Sequence, residues 1–333
     1  MEKENNRKMN PLISVILPNY NHAKFLEKRL ESIFNQTYYN FEVILLDDCS
    51  TDNSKDILVK YSKNDHVKHC IFNEINSGNT FVQWKKGIQL AKGKFIWIAE
   101  SDDFCDPFFL ESAIKPLLLN DQITLSYCQS NKVDINDKII GNWKTYTDDL
   151  DTKQFAENFV MEGNLFIEKY LIKKNVIPNA SAVLFRKDNL EISDQLINTP
   201  ALRYCGDWII YLQVIINQEI SFLAESINNF RYHDNSVIAR ISKSQKQISL
   251  IDIDLQMRKA IVNYLHPIPV VNKKQIFEKN KKIIELLKYE KALILFNNKK
   301  KWKAILILIG IFDVFVKKYP FYKRLKNILI FSK

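Results

Sequence analysis

Two short runs of carboxylates in this 333-residue chain directly follow apolar stretches, Asp47-Asp48 and Glu100-Ser101-Asp102-Asp103, and a further carboxylate, Asp207, stands just before Trp208. A carboxylate at the tip of an apolar strand can accept hydrogen bonds from a nucleobase N–H or from ribose hydroxyls. Helix capping, the ordinary use of Asp, Ser and Thr, accounts for Thr51 or Asp52 but does not call for two successive carboxylates. Three carboxylates within four residues repel one another unless a cation or hydrogen-bond donors compensate. Mg2+ or Mn2+ is a natural partner, since hard cations take carboxylate oxygens together with substrate phosphates; a solvated acidic turn is the plainer alternative. His66, His69 and Cys70 form another possible ligand group, although alternation along a strand explains their spacing as well. The chain has 7 glycines and neither Gly-x-Gly-x-x-Gly nor a Walker lysine motif. Dinucleotide dehydrogenases and P-loop phosphotransferases thereby lose their main signature.

The elements that must position these groups alternate between strand and helix. Ile13–Leu17 is an apolar run ending at Pro18, and Phe25, Leu26, Leu30, Ile33 and Phe34 then recur at helical spacing. Phe41–Leu46, Val67–Phe72 and Lys94–Ala99 read as further strands, with helices starting near Asp52 and marked by Phe81, Trp84, Ile88 and Ala91 between them. Ile123–Tyr127 and Ala182–Phe185 are later strand candidates. Near-continuous apolar strands alternating with helices imply an α/β fold with a parallel sheet covered on both faces. Ligands of such sheets bind beyond the carboxyl ends of the strands. That rule points to Pro18–Asn21, Asp47–Thr51 and Glu100–Asp103.

Taken in order, Ile13-Ser-Val-Ile-Leu-Pro-Asn-Tyr-Asn21, Ser32-Ile-Phe-Asn-Gln-Thr37, Phe41 to Ser54 and Ala91-Lys-Gly-Lys-Phe-Ile-Trp-Ile-Ala-Glu-Ser-Asp-Asp103 resemble the family 2 glycosyltransferases of the GT-A fold. The resemblance implies a Rossmann-like domain with a mostly parallel central sheet. It also implies an inverting enzyme that uses a nucleoside-diphosphate sugar and a divalent metal, Mn or Mg. Matched by motif, Pro18 and Tyr20 border the nucleobase pocket and Asp48 bonds the base. Asp102 approaches the ribose or metal, and Asp103 coordinates the metal. Glu100 stands where the family usually has the first Asp of its Asp-x-Asp. Cys205-Gly-Asp207-Trp208 resembles the family's acidic base motif, with Gly206 in place of the usual Glu and Asp207 matching the general base. Capping of the helix that follows is the structural alternative for Asp207. Phe230-Arg-Tyr-His-Asp-Asn-Ser236 resembles a late family segment, which gives His233 a role at the metal or diphosphate. Asn179, Ser181 and, beside the base, Trp208 are the acceptor-side candidates. A sugar-nucleotide pyrophosphorylase is a second enzyme class with this layout, but it calls for a glycine-rich basic loop after the first strand. A binding protein without chemistry is the non-enzyme alternative.

Hydrophobic residues make up 46% and charged residues 26% of the chain, an ordinary globular balance. The net charge of +10 is unevenly distributed. From Ile241 onward 21 Lys and Arg face 6 Asp and Glu, a balance of +15, which leaves −5 for the part before it. The expected organisation is a disordered tail over 1–10, a catalytic domain over 11–240 and a basic, mostly helical extension over 241–333. Lysine clusters beside apolar helical faces in the extension suit an anionic membrane surface, where a lipid-linked saccharide acceptor would be met; a helical bundle packed on the catalytic domain is the alternative. Nucleic acid is not an expected partner, because no binding motif accompanies the charge. Five cysteines without a CxxC pair, and no apolar run of about 20 residues, point to a reduced cytoplasmic protein, peripheral at the inner membrane face.

Overall fold

The computed structural model describes residues 10–232 and 247–318. A ten-stranded sheet runs in the order β3-β2-β1-β4-β9-β6-β10-β5, with β7 added to β6 and β8 to β10. The strands are β1 (Ile13–Asn19), β2 (Phe41–Asp47), β3 (Val67–Phe72), β4 (Phe95–Ile98), β5 (Phe104–Cys105), β6 (Ile123–Val133), β7 (Ile139–Asn142), β8 (Phe159–Glu162), β9 (Val183–Arg186) and β10 (Glu219–Arg231). β1 to β4 are parallel, as are β6 and β10. β9 runs antiparallel between β4 and β6, and short antiparallel pairings add β5, β7 and β8. The mostly parallel sheet follows from strands such as Ile-Ser-Val-Ile-Leu-Pro-Asn, whose every residue is buried.

Alternation along β1 builds two cores. Ile13, Val15 and Leu17 pack on one side of the sheet with Leu26 and Leu30, whereas Ile16 faces the other with Phe81 and Trp84. The longer helices are α1 (Ala23–Phe34), α2 (Ser54–Tyr61), α3 (Thr80–Leu90), α4 (Phe109–Leu119), α5 (Gly206–Ile215), α6 (Gln247–Leu265), α7 (Lys273–Asn297), α8 (Lys301–Ile309) and α9 (Phe312–Lys318). A polar pin sets the approach to β4. The buried Ser14 donates to Glu42 at 2.6 Å and accepts the Gly93 N–H at 2.8 Å. A Cβ on Gly93 would lie 2.6 Å from the Ser14 nitrogen, so this turn needs glycine.

The described part of the C-terminal extension is helical, and its first half belongs to the main core. Met257, Ile261 and Leu265 of α6 and Ile276 of α7 are fully buried in the cluster that covers β6. Arg258, 1% exposed, donates to the carbonyls of Ile172 and Lys173, pairs with Asp254 at 2.9 Å and lies over the Trp208 ring. Farther on, Ala292, Leu295 and Ala304 form a small separate core.

Candidate active site

Three loops at the carboxyl ends of the parallel strands are tied into one rim. Asn19 donates to Asp47 at 2.8 Å, and Ser50 donates to the same oxygen at 2.6 Å. Asn21, with a left-handed φ of 56°, accepts the Thr51 N–H at 2.7 Å. His22 Nδ1 lies 2.8 Å from the Ser101 hydroxyl, which joins this rim to the acidic turn. Asp52 accepts the N–H groups of Ala23 and Ser54, closing the starts of α1 and α2 as a capping residue does.

Asp48 is 5% exposed and enclosed by donors. Asn73 at 2.7 Å, Gln83 at 2.8 Å, and the Ser77 N–H and hydroxyl at 3.0 and 2.7 Å occupy both oxygens. Its carboxylate therefore fixes the 73–79 loop, and a nucleobase would have to displace one of these donors. Pro18 is buried within β1, whereas Tyr20 stands 40% exposed on the rim.

The acidic turn after β4 divides its carboxylates among different surroundings. Glu100 turns inward and accepts from the Trp84 indole at 2.8 Å; burial, with the charge of Asp102 adding, pushes its carboxyl up to about 8. Asp103, 2% exposed, accepts from Asn179 and Ser181 at 2.6 Å each and from the Arg231 N–H at 3.0 Å. Burial and then Asp102 raise it as well. Asp102 is half-exposed at the tip of the turn. Beneath lies Arg29, fully buried, its guanidinium carbon 4.7 Å over the Trp97 ring. Its charge holds Glu100, Asp103 and the neighbouring Cys105 thiol lower than burial alone would.

Asp207 occupies the first turn of α5, where the helix dipole favours a carboxylate. Asn175 donates to it at 3.2 Å, and burial lifts its pKa from 3.8 to about 6. Helix α3 reaches all three carboxylate groups. Gln83 holds Asp48, Trp84 holds Glu100, and Phe81 presses on the start of α5, where a Cβ on Gly206 would lie 2.6 Å from its ring. That contact explains glycine at 206. Tyr211, one turn farther along α5, has its hydroxyl raised by burial and then by the charges of Asp207 and Glu100 together. One helix, α3, thus links Asp48, the acidic turn and the start of α5 that carries Asp207.

The family model for glycosyl transferase family 2 matches residues 14–179, the span that carries the rim and the acidic turn. The chain belongs to this family. It is 27% identical to the glycosyltransferase GlyG of Streptococcus pneumoniae, over 69% of this chain and 74% of that protein. It is also 27% identical to an uncharacterized glycosyltransferase of Haemophilus influenzae, over 84% and 85% of the two chains. Among solved structures, residues 1–349 of S. aureus TarS in complex with UDP-GlcNAc superpose with a TM-score of 0.58 at 16% identity, covering 88% of each chain. The mannosyltransferase PcManGT of Pyrobaculum calidifontis, in complex with GDP-Man and Mn2+, gives 0.57 at 11% identity, covering 97% of this chain and 80% of that one. These likenesses establish the GT-A fold.

In this family 2 enzyme the residues expected from the sequence have distinct surroundings. Asp103, expected to ligate the metal, accepts from Asn179, Ser181 and the Arg231 N–H and so ties the turn to β10 and the 179–181 segment. The acceptor candidates Asn179 and Ser181 are 9% and 0% exposed and hold Asp103. Trp208 is likewise buried, its indole donating to the Leu171 carbonyl at 2.8 Å. All three side chains are buried. His233 lies outside the described residues. His66 bonds the Phe41 carbonyl and stacks on the Phe41 ring, a structural use of that histidine. No group of three or more His, Cys, Asp or Glu gathers into a closed metal cage among the described residues. The surroundings still suit a hard cation: Asp102 is half-exposed beside two carboxylates whose charges it repels, and Mg2+ or Mn2+ is commonly held by one or two carboxylates plus substrate phosphates. Sequence reasoning missed Arg29, Gln83, Trp84, Asn175 and Arg231. Arg29 carried a signal, being a charged residue on the apolar Leu26–Leu30–Ile33 face of α1.

Proposed function

We propose that this enzyme transfers a sugar from a nucleoside-diphosphate donor to a hydroxyl of a cell-envelope glycan or its lipid-linked precursor, with inversion at the anomeric carbon. The observation that carries the proposal is Asp207, a carboxylate with a pKa of about 6 at the head of α5, which α3 links to the acidic turn. A base with a pKa near neutrality combines the deprotonated form with useful proton affinity. Asp207 takes the acceptor hydroxyl proton as the oxygen bonds to the anomeric carbon, and the electron pair of the breaking bond leaves on the diphosphate. A divalent cation bound at Asp102 would supply neutralisation of the charge on the leaving diphosphate. Asp103, held by Asn179, Ser181 and Arg231, positions that turn, and Tyr20 lines the nucleotide side. The complexes named for TarS and PcManGT support a nucleotide-sugar donor and a metal. A polymer-directed role is supported by the protein named putative teichuronic acid biosynthesis glycosyltransferase TuaG of Bacillus subtilis, 39% identical over 28% of this chain and 36% of that protein. Incubation with UDP- and GDP-sugars and Mn2+, following nucleoside diphosphate release, tests the proposal. Release that is equal in wild type and Asp207→Asn when an acceptor is present removes Asp207 as the base.

The same reading places the enzyme at an anionic membrane surface through its last described helices. Ala304, Ile307 and Leu308 of α8 pack inward, while Trp302, Leu306 and Ile309 stand 81%, 69% and 66% exposed. Phe312 continues the exposed face, and Lys299, Lys300, Lys301 and Lys303 flank it. Apolar side chains ringed by lysines match lipid tails beneath anionic headgroups. No helix among the described residues is long and apolar enough to cross a membrane, so contact is by insertion of this face.

A further inference from the structure

A wall of aromatic rings and lysines between the acidic turn and Asp207 is left without a role by the mechanism. Trp143 lies 4.7 Å from Tyr146 and 5.6 Å from Phe230, and Phe230 lies 5.1 Å from Tyr232, centroid to centroid. The Lys132 ammonium stands 4.9 Å from the Trp143 ring centre and 5.7 Å from that of Tyr232, and Lys174 stands 4.2 Å from that of Tyr146. Both ends of the wall are one residue from the chemistry. Arg231, preceding Tyr232, donates its N–H to Asp103, and Asn175, following Lys174, donates to Asp207.

Aromatic clusters are most often core, but three observations set this one apart. Tyr232 is 40% exposed, and Trp143, although 7% exposed, has an indole N–H without an acceptor. Lys132 has no carboxylate within ion-pair distance among the described residues, whereas Lys174 pairs with Asp149. Lys132 also sits opposite Gly141 across the β6–β7 pairing, and a Cβ there would meet the lysine stem at 3.9 Å. Pyranose rings lay their C–H faces on the electron-rich faces of aromatic rings, while indole N–H groups and ammonium ions receive the sugar's oxygens.

We infer that Lys132, Trp143, Tyr146, Lys174, Phe230 and Tyr232 form the acceptor subsite, and that it takes a saccharide unit bearing a negative charge. The inference rests on the glycosyl-transfer reading, since it is that reading which makes a saccharide site beside Asp207 an acceptor site. The anion is a uronic carboxylate or a phosphate ester, both of which an ammonium binds.

Calorimetric titration of the full chain with three disaccharides tests it: one ending in glucuronic acid, one in glucose 6-phosphate and one in unmodified glucose. At least one charged probe is expected to bind tenfold or more tightly than the neutral one. Lys132→Gln abolishes that preference, Lys132→Arg retains it, and Tyr232→Ala weakens all three probes several-fold. Preference for one charged probe alone identifies the source of the anion. Equal binding of neutral and charged probes, an undiminished preference in Lys132→Gln, or no binding at millimolar concentration overturns the inference. Titration of the same variants with UDP and GDP in Mn2+ separates the two readings. Failure of nucleotide binding in the wild type counts against the glycosyl-transfer reading, and unchanged nucleotide binding alongside altered saccharide binding assigns the wall to the acceptor.

Discussion

Replacing Asp207 by Asn separates catalysis from stability in opposite directions. Burial raises the carboxyl from 3.8 to about 6, which corresponds to about 3 kcal/mol against the ionised form in the folded protein. The native state holds this proton more tightly than the unfolded chain does. That contribution to stability is complete below pH 3.8, declines as the pH rises and is gone once the pH has passed about 6. Asparagine keeps an oxygen to accept from Asn175 and never ionises. Asp207→Asn should therefore match wild type in thermal unfolding below pH 4 and exceed it by up to about 3 kcal/mol above pH 7. Transfer should fall by roughly 10²- to 10⁴-fold, the usual contribution of a general base. The wild-type rate should decline as the pH falls through about 6. Thermal melts at closely spaced pH values and initial rates on the same preparations test both halves. A variant destabilised at pH 8, or a stability difference that does not change with pH, would refute the burial argument. Retained activity would refute the base.

The other carboxylates should part in their effects. Asp102→Ala should abolish Mn2+-dependent nucleotide binding in calorimetry. Asp103→Ala should cost about 2–4 kcal/mol in urea unfolding, because it strands three buried donors. Gly206→Ala should cost about 1–3 kcal/mol through its clash with Phe81, and Phe81→Leu should recover part of the loss in a double-mutant cycle. Trp302→Ser with Leu306→Ser should reduce sedimentation with anionic vesicles by tenfold or more while leaving transfer to a soluble acceptor intact. Unchanged vesicle binding would reject membrane contact by α8.

The first half of the sheet was legible because β1, β2 and β4 are buried on both faces and so read as continuous apolar runs. β10 was not. Its sequence Glu-Ile-Ser-Phe-Leu-Ala-Glu-Ser-Ile-Asn-Asn-Phe-Arg breaks alternation where the register to β6 shifts after Leu223 and again after Ser226. The acidic turn was found from composition and position, yet the division of labour within it was hidden. Asp102 and Asp103 are neighbours of identical type, and only the donors supplied by Asn179, Ser181 and β10 distinguish them. Those donors lie 76 to 128 residues away along the chain. The extension's charge was plain in the sequence, but its attachment to the core was not, because that depends on Arg258 meeting backbone carbonyls no pattern reports.

Arg258 grips the Ile172 and Lys173 carbonyls three and two residues before Asn175, the side chain that steadies Asp207. The C-terminal helices and Asp207 are therefore joined through the 172–175 segment. Shortening the protein before residue 247 would free the 172–175 segment from Arg258 as well as remove the lysine-flanked face. On the proposed membrane contact and base role, a pull exerted on the far helices by a bilayer would have a short mechanical route to Asp207.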